Sequence, residues 1–221
     1  MNVQLIFSWK TKNKADFFAS WTIMGRKSIK EARRMEIVRV FYKVAKKEGL
    51  ENVSIAKIAK VMDVNPSLIM HYFRTKEDLV SSLIDYLLDR WLKIFDPNTL
   101  EKPASREALL EMINALFSRK WNALFDDRVS YSCYALIFRN KKIRTRYKSV
   151  LDSLHHTLAG FIEKCRREQI VQTDDPVLSS RIIFALVDGA YYYLSLEDDK
   201  DLYQERLDQY KQRAITVLGL Q

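Results

Sequence analysis

Two helix starts stand within sixteen residues of this chain, in VNPSLIMHYFRTKEDL (64–79), and they leave room for only a short helix between them. Asn65 offers a side-chain acceptor to free backbone N–H groups, and Pro66 takes the first helical position, where a missing N–H loses nothing. Thr75 with Asp78 opens the next helix in a T-x-x-D arrangement, so the short helix breaks at Arg74. A helix of about two turns is unstable alone. This one has to be held by burying Val64, Ile69 and Phe73 against the helices before it.

Those helices are legible upstream. Ser28 with Glu31 makes a capping box that opens a helix carrying Ile37, Phe41, Val44 and Ala45 on one face. Lys46 and Lys47 suit its C-terminal dipole, and Gly49 supplies the left-handed residue that ends it. Ser54 caps a second, short helix with Ile55, Ile58, Ala59 and Met62 inward, and MDVN is the turn after it. Three helices with a tight turn between the last two form a helix-turn-helix unit. Its short third helix suits a major groove roughly 12 Å wide. This unit spans 24–74; residues 1–23 lack a sustained period and read as a loose extension, or as sequence ahead of a start at Met24.

Charge agrees with that assignment. Of the formal net charge of +9, residues 1–80 carry +8 (16 Lys/Arg, 8 Asp/Glu) and residues 81–221 carry +1 (21 and 20). A basic excess confined to one end suits a polyanionic partner, most often nucleic acid; the alternative is a solvated basic face.

Residues 75–221 read as a larger helical domain, for about nine helices in all. Leu79, Leu83, Leu87 and Trp91 follow one stripe, 96–105 (DPNTLEKPAS) is a loop, and a helix then runs to about Phe125. A shorter aromatic helix through VSYSCYALIF and a long basic-faced one over 141–168 come next. Asp175 and Pro176 open an apolar helix, VLSSRIIFALVDGAYYYLSL, and the last covers roughly 199–218. With 5 Gly and 4 Pro, and with no strand pattern, repeat or low-complexity segment, the fold class is all-α.

Several classes of protein are set aside. No apolar run approaches the ~20 residues needed to cross a bilayer. LIFSW is too short for a signal-peptide core, so membrane association is not expected. Cys133 and Cys165 lack metal or redox spacing and read as core thiols of a cytoplasmic protein. Cys133 with His155 and His156 could be offered as a thiol–imidazole pair, but no Gly-rich loop, metal spacing or nucleophile elbow accompanies it. An enzyme is not expected, and no cofactor.

Residues 28–80 resemble the DNA-binding domain of the TetR/AcrR family of bacterial transcriptional regulators. The resemblance rests on VSIAKIAKVMDVNPSLIMHYFRTKEDLV: a hydroxyl-capped second helix with Ile58 and Ala59, the valine after the turn, the HYF ending and the TKEDL opening. Ser67-Leu68 stands where family members often have Gly-Thr, and Met70 where they often have Tyr, which bears on the operator chosen rather than on DNA binding. IFRNKKIRTRY and ALVDGAYYYL are faintly similar to the BetI-like branch, and no ligand follows from that.

The expected contacts follow. Arg26 and Lys27 lie on an arm ahead of the first helix, suited to phosphate or minor groove, or simply solvated. Ser54 caps its helix and can share a phosphate oxygen with the backbone N–H groups there. Lys57 lies on an outward face, for phosphate or solvent; Asn65, Ser67, Leu68 and His71 form the groove-facing set. The resemblance implies a phosphate contact for Tyr72. Lys76 opposes its own helix dipole, which makes sense facing a phosphate.

In the larger domain Trp121, Tyr131, Tyr134, Phe138, Tyr147, Phe184 and Tyr192, with His155 and Asp188 as polar groups, are candidates to line a pocket for a small apolar or amphipathic effector; a filled core is the alternative. The resemblance further implies a homodimer through the last two helices. Together these predict a repressor that binds a palindromic double-stranded operator and is released by a small molecule. The alternative is a DNA-binding dimer controlled by a protein partner, or an activator.

Overall fold

The computed structural model describes residues 29–118 and 126–220. Arg26, Lys27, Ser28, Trp121 and Phe125 therefore lie outside the described residues, as do residues 1–23. Among the described residues every regular element is a helix. In chain order these are α1 (29–48), α2 (Ile55–Met62), α3 (Pro66–Tyr72), α4 (Lys76–Trp91), α5 (Pro97–Glu101) and α6 (Arg106–Leu116). After them come α7 (Asp127–Tyr134), a 3-10 turn (Ala135–Phe138), α8 (Lys141–Arg167), α9 (Pro176–Leu194) and α10 (Lys200–Val217). The chain divides into two compact units, up to Leu83 and from Ile84, so the division falls inside α4, whereas the sequence reading sets it ahead of that helix.

The first unit is built around short helices that need one another. Ile37, Phe41, Val44 and Ala45 of α1 are buried, as are Ile58 and Ala59 of α2. Ile69 and Phe73 are both 0% exposed, and Leu79 and Leu83 complete the cluster. Full burial of each large side chain contributes about 1.5–3 kcal/mol, enough to hold a seven-residue α3 that propensity cannot. Val64, Ile55 and Met62 are half-buried rather than fully inward. The turn before α3 rests on Asp63, which takes a left-handed conformation (φ 53°) and returns its N–H to the carbonyls of Ala59 and Lys60.

In the second unit α8 packs on α9, α9 on α10, and α6 on both α8 and α10. Leu109, Ile113 and Leu116 of α6, Leu154, Leu158 and Ile162 of α8, Ile183 and Val187 of α9, and Leu207 and Ala214 of α10 are all buried in this unit. Cys133 and Cys165 are free and buried, and burial pushes the Cys133 thiol up to about 12.

Two stretches differ from the sequence reading. The 96–105 loop contains α5: the Asp96 carboxylate accepts from the Asn98 N–H, Pro97 sits at the first position, and Thr99 and Lys102 both bond to Glu111 of α6. The helix expected to reach about Phe125 ends at Leu116.

Candidate DNA-reading face and aromatic cavity

On α3, the side opposite Ile69 and Phe73 is open. Asn65, Ser67 and His71 are exposed and Leu68 is half-buried, with Met70 on the exposed side as well. The Asn65 carboxamide oxygen accepts from the Ser67 N–H at 2.9 Å, so this side chain already serves as the helix cap. His71 packs edge-on against Tyr72, ring centroids 5.2 Å apart, and Tyr72 is half-buried.

The flanking cations differ from one another. Lys57 is exposed but engaged: its ammonium donates to Glu48 Oε2 at 2.5 Å and to the Asn52 carbonyl at 2.9 Å, which ties α2 to the end of α1. That pairing holds the Glu48 carboxyl below its usual range. Ser54 caps α2 by accepting from the Lys57 N–H at 3.2 Å. Lys76 is exposed in the first turn of α4, next to Glu77 and Asp78.

Sequence reasoning missed Arg34. Its guanidinium donates to the Tyr72 carbonyl at the end of α3, to Asp78 Oδ1 at 3.2 Å and to Ser82 Oγ at 3.1 Å. It also lies over the Phe73 ring, 4.1 Å from the centroid. One planar, multiply donating group thus joins α1, the last carbonyl of α3 and the first turns of α4. No local pattern announces it, since its partners stand 38 to 48 residues away.

The second unit holds a cavity of about 260 Å³. Its wall consists of single helical faces: Asp127, Ser130, Tyr131 and Tyr134 on α7, Tyr147 and Leu151 on α8, Phe184, Asp188, Tyr191 and Tyr192 on α9, and Trp91 at the end of α4. Of the candidate ligand residues, the wall therefore brings together Tyr131, Tyr134, Tyr147, Phe184, Asp188 and Tyr192. Phe138 is 78% exposed and not part of it. His155 stacks behind Phe184, centroids 4.4 Å apart, and burial lowers its imidazole pKa. Asp127 and Ser130 were not anticipated; their i+4 spacing to Tyr131 and Tyr134 was the available signal.

The rings meet edge to face: Trp91 with Tyr147 at 5.7 Å, Tyr134 with Tyr147 at 5.7 Å, and Tyr131 with Tyr192 at 6.2 Å. Two hydroxyls in the wall, Ser130 Oγ and Tyr147 Oη, are buried without a hydrogen-bond partner among the described residues. The Tyr191 hydroxyl, by contrast, donates to the Leu116 and Ser118 carbonyls. Asp188 lines the cavity and is itself exposed to solvent, yet the protein packed around it removes enough water to push its carboxyl up to about 6. Asp127 is raised as well, by burial and then by Asp126. Burial, followed by these two aspartates, raises the Tyr131 phenol.

Comparison with known proteins accords with both units. A family model described as "Bacterial regulatory proteins, tetR family" matches residues 37–83, and one described as "Tetracyclin repressor-like, C-terminal domain" matches residues 104–220. The fatty acid metabolism regulator protein of Bacillus subtilis is 25% identical over 174 residues, covering 77% of this chain and 88% of that protein. The nucleoid occlusion factor SlmA of Vibrio cholerae is 24% identical over 193 residues, covering 84% and 94%. A TetR transcription regulator from Haloarcula marismortui shares the fold, with a TM-score of 0.73 at 19% identity over 85% of this chain and 97% of that one. Two family matches that account for the helix-turn-helix unit and for more than half the chain leave one conclusion: this protein belongs to the TetR family, as a DNA-binding transcriptional regulator and not an enzyme.

Proposed function

We propose that this regulator is a cytoplasmic, ligand-responsive repressor: a homodimer on a palindromic operator, released when a small molecule enters the second unit. The observation that carries the reading is the cavity, whose wall keeps two buried hydroxyls without partners and a carboxylate without a counter-ion among the described residues. A core filled for stability alone would have closed over such groups or paired them.

In this reading Asn65, Ser67, Leu68 and His71 meet base edges, while Ser54, Tyr72 and Lys76 meet phosphate, with Arg26 and Lys27 reaching from the arm. Lys57 contributes mainly to holding α2, since its ammonium is occupied. The dimer forms through α9 and α10. A stripe on α9 supports this: Leu178, Ile182, Ala185, Gly189 and Tyr193, with Leu196 just beyond, follow a 4-3-4-4-3 spacing and are all exposed. An apolar stripe of that length is ordinarily covered, and Ala185 and Gly189 permit close approach. No described helix is long and apolar enough to cross a membrane.

Selection of bound sequences from random duplexes tests the proposal. The expected product is a palindrome with half-site centres about one helical turn, 10–10.5 base pairs, or a multiple of it apart. Enrichment of a single half-site, or of none, would overturn the dimeric operator. The relatives named nucleoid occlusion factor favour a second reading, in which the dimer binds DNA under the control of a protein partner and no small molecule. Operator affinity that no cavity-binding molecule alters would select it.

A further inference from the structure

We propose that the cavity of the second unit takes a small organic cation, an alkylammonium whose charge sits against Asp188 while its apolar body lies among the aromatic faces of Trp91, Tyr131, Tyr134 and Tyr192. The inference rests on the ligand-responsive reading and specifies the chemistry of its ligand.

The sign of the charge comes from the wall itself. Two of its residues, Asp127 and Asp188, are acidic, and no Lys, Arg or His lines it among the described residues. Neither aspartate belongs to any of the ion pairs of the described residues, although carboxylates elsewhere find partners readily: Glu163 holds Arg166 and Arg167, and Glu111 holds Lys102. An anionic guest such as a fatty acid would bring a third carboxylate among aromatic walls with nothing to neutralise it. A neutral guest would strip water from Asp188 and return nothing. A cation supplies the missing partner, and a guest whose apolar body covers Asp188 strengthens that pair by excluding solvent on binding.

Shape and polarity agree. Aromatic faces carry negative charge density, so several rings around one cavity favour a cation over an isosteric neutral group, each contact contributing about 0.5–2 kcal/mol. Five of the wall residues meet in edge-to-face pairs (Tyr131 with Tyr192, Tyr134 and Trp91 each with Tyr147), so the rings of the wall stand crossed to one another rather than stacked. A volume of about 260 Å³ is below the roughly 300–1,000 Å³ of drug-sized sites, which limits the guest to a small head with a short chain. Ser130 Oγ and Tyr147 Oη, buried and unpartnered in the same wall, can accept from an ammonium N–H or bond a hydroxyl carried by the guest.

The test uses the full chain and three probes of similar length: hexyltrimethylammonium, octanoate and 1-octanol. Calorimetry should show hexyltrimethylammonium binding once per chain, with octanoate at least about tenfold weaker, since one ion pair or its loss is readily worth that factor. Asp188→Asn should weaken the ammonium by about tenfold or more while leaving 1-octanol unchanged, and its thermal melting curve reports that the variant is folded. Equal or tighter binding of octanoate or 1-octanol, an Asp188→Asn protein that holds the ammonium as before, or no binding of the ammonium at all, would each overturn the inference. Operator release, measured separately on the selected duplex, keeps the two proposals apart. Release by octanoate or 1-octanol alone would leave a ligand-responsive repressor with a different ligand. Ammonium binding that depends on Asp188 but never releases DNA would leave the cation site and remove the repressor switch.

Discussion

Lys76 is a cation placed where a helix would rather have none. It opens α4, at the positive end of the backbone dipole, and remains exposed there. Its removal should not destabilise the helix; Lys76→Ala is expected to leave the melting temperature unchanged or raise it slightly. The same substitution should weaken operator binding across all sequences and lower the slope of log affinity against log salt by about one. An unaltered slope would remove Lys76 from the phosphate contacts. Asp188 presents the opposite problem, a carboxyl whose protonated form the fold prefers, since burial lifts it to about 6 from an ordinary 3.8. A folded-state pKa above the unfolded one means the native protein holds the proton more tightly, so stability falls as pH rises from about 4 to about 6. Asp188→Asn should therefore raise the melting temperature of the ligand-free protein at neutral pH, with the gain vanishing near pH 4. A gain that persists undiminished at pH 4 would show that the carboxyl's ionisation is not its source.

Helix ends were the part of this fold most open to reading from sequence, because a cap is a local bargain between neighbours. Ser54, Asn65 with Pro66, Thr75 and Asp175 with Pro176 all cap where their residue types say they should. Asp96 with Pro97 carries the same signal and was passed over, since the turn-forming residues around it and a second proline at 103 outweigh it locally. Only Thr99 and Lys102 reaching Glu111 on α6 decide the matter, and that is a tertiary fact. The cavity divides along the same line. Its aromatic residues and Asp188 stood out as types, whereas the two unpartnered hydroxyls depend on how three helices meet. Arg34 is the clearest case of an element held from afar: it closes the C-terminus of α3 from another helix. Arg34→Ala is expected to destabilise the first unit by about 1–3 kcal/mol, through lost hydrogen bonds and lost contact with Phe73. Arg34→Lys should recover little, because an ammonium cannot present the same fork or stack on the ring. Full recovery by lysine would reduce the role of Arg34 to charge alone.

For the molecule as a whole, α9 is the element on which the most depends. Ile183, Val187, Ala190 and Leu194 face the core; Phe184, Asp188, Tyr191 and Tyr192 line the cavity; Leu178, Ile182, Gly189 and Tyr193 form the exposed stripe. A helix apolar nearly all round is unusual at a surface unless a partner covers it. Ile182→Glu should yield monomers by sedimentation, with operator affinity falling steeply because two linked half-sites become independent ones. A dimer that persists with its charge installed would place the interface elsewhere. The buried thiols offer a route to the geometry of that assembly. Cys133 and Cys165 are the chain's two cysteines, and neither has accessible sulfur. A maleimide or nitroxide reagent should pass both over without any prior mutation. A cysteine introduced by Val61→Cys, at an exposed position on α2, would then carry one spin label per subunit. The separation between the paired labels, read by pulsed resonance with and without effector, would report directly how far the two DNA-reading heads spread.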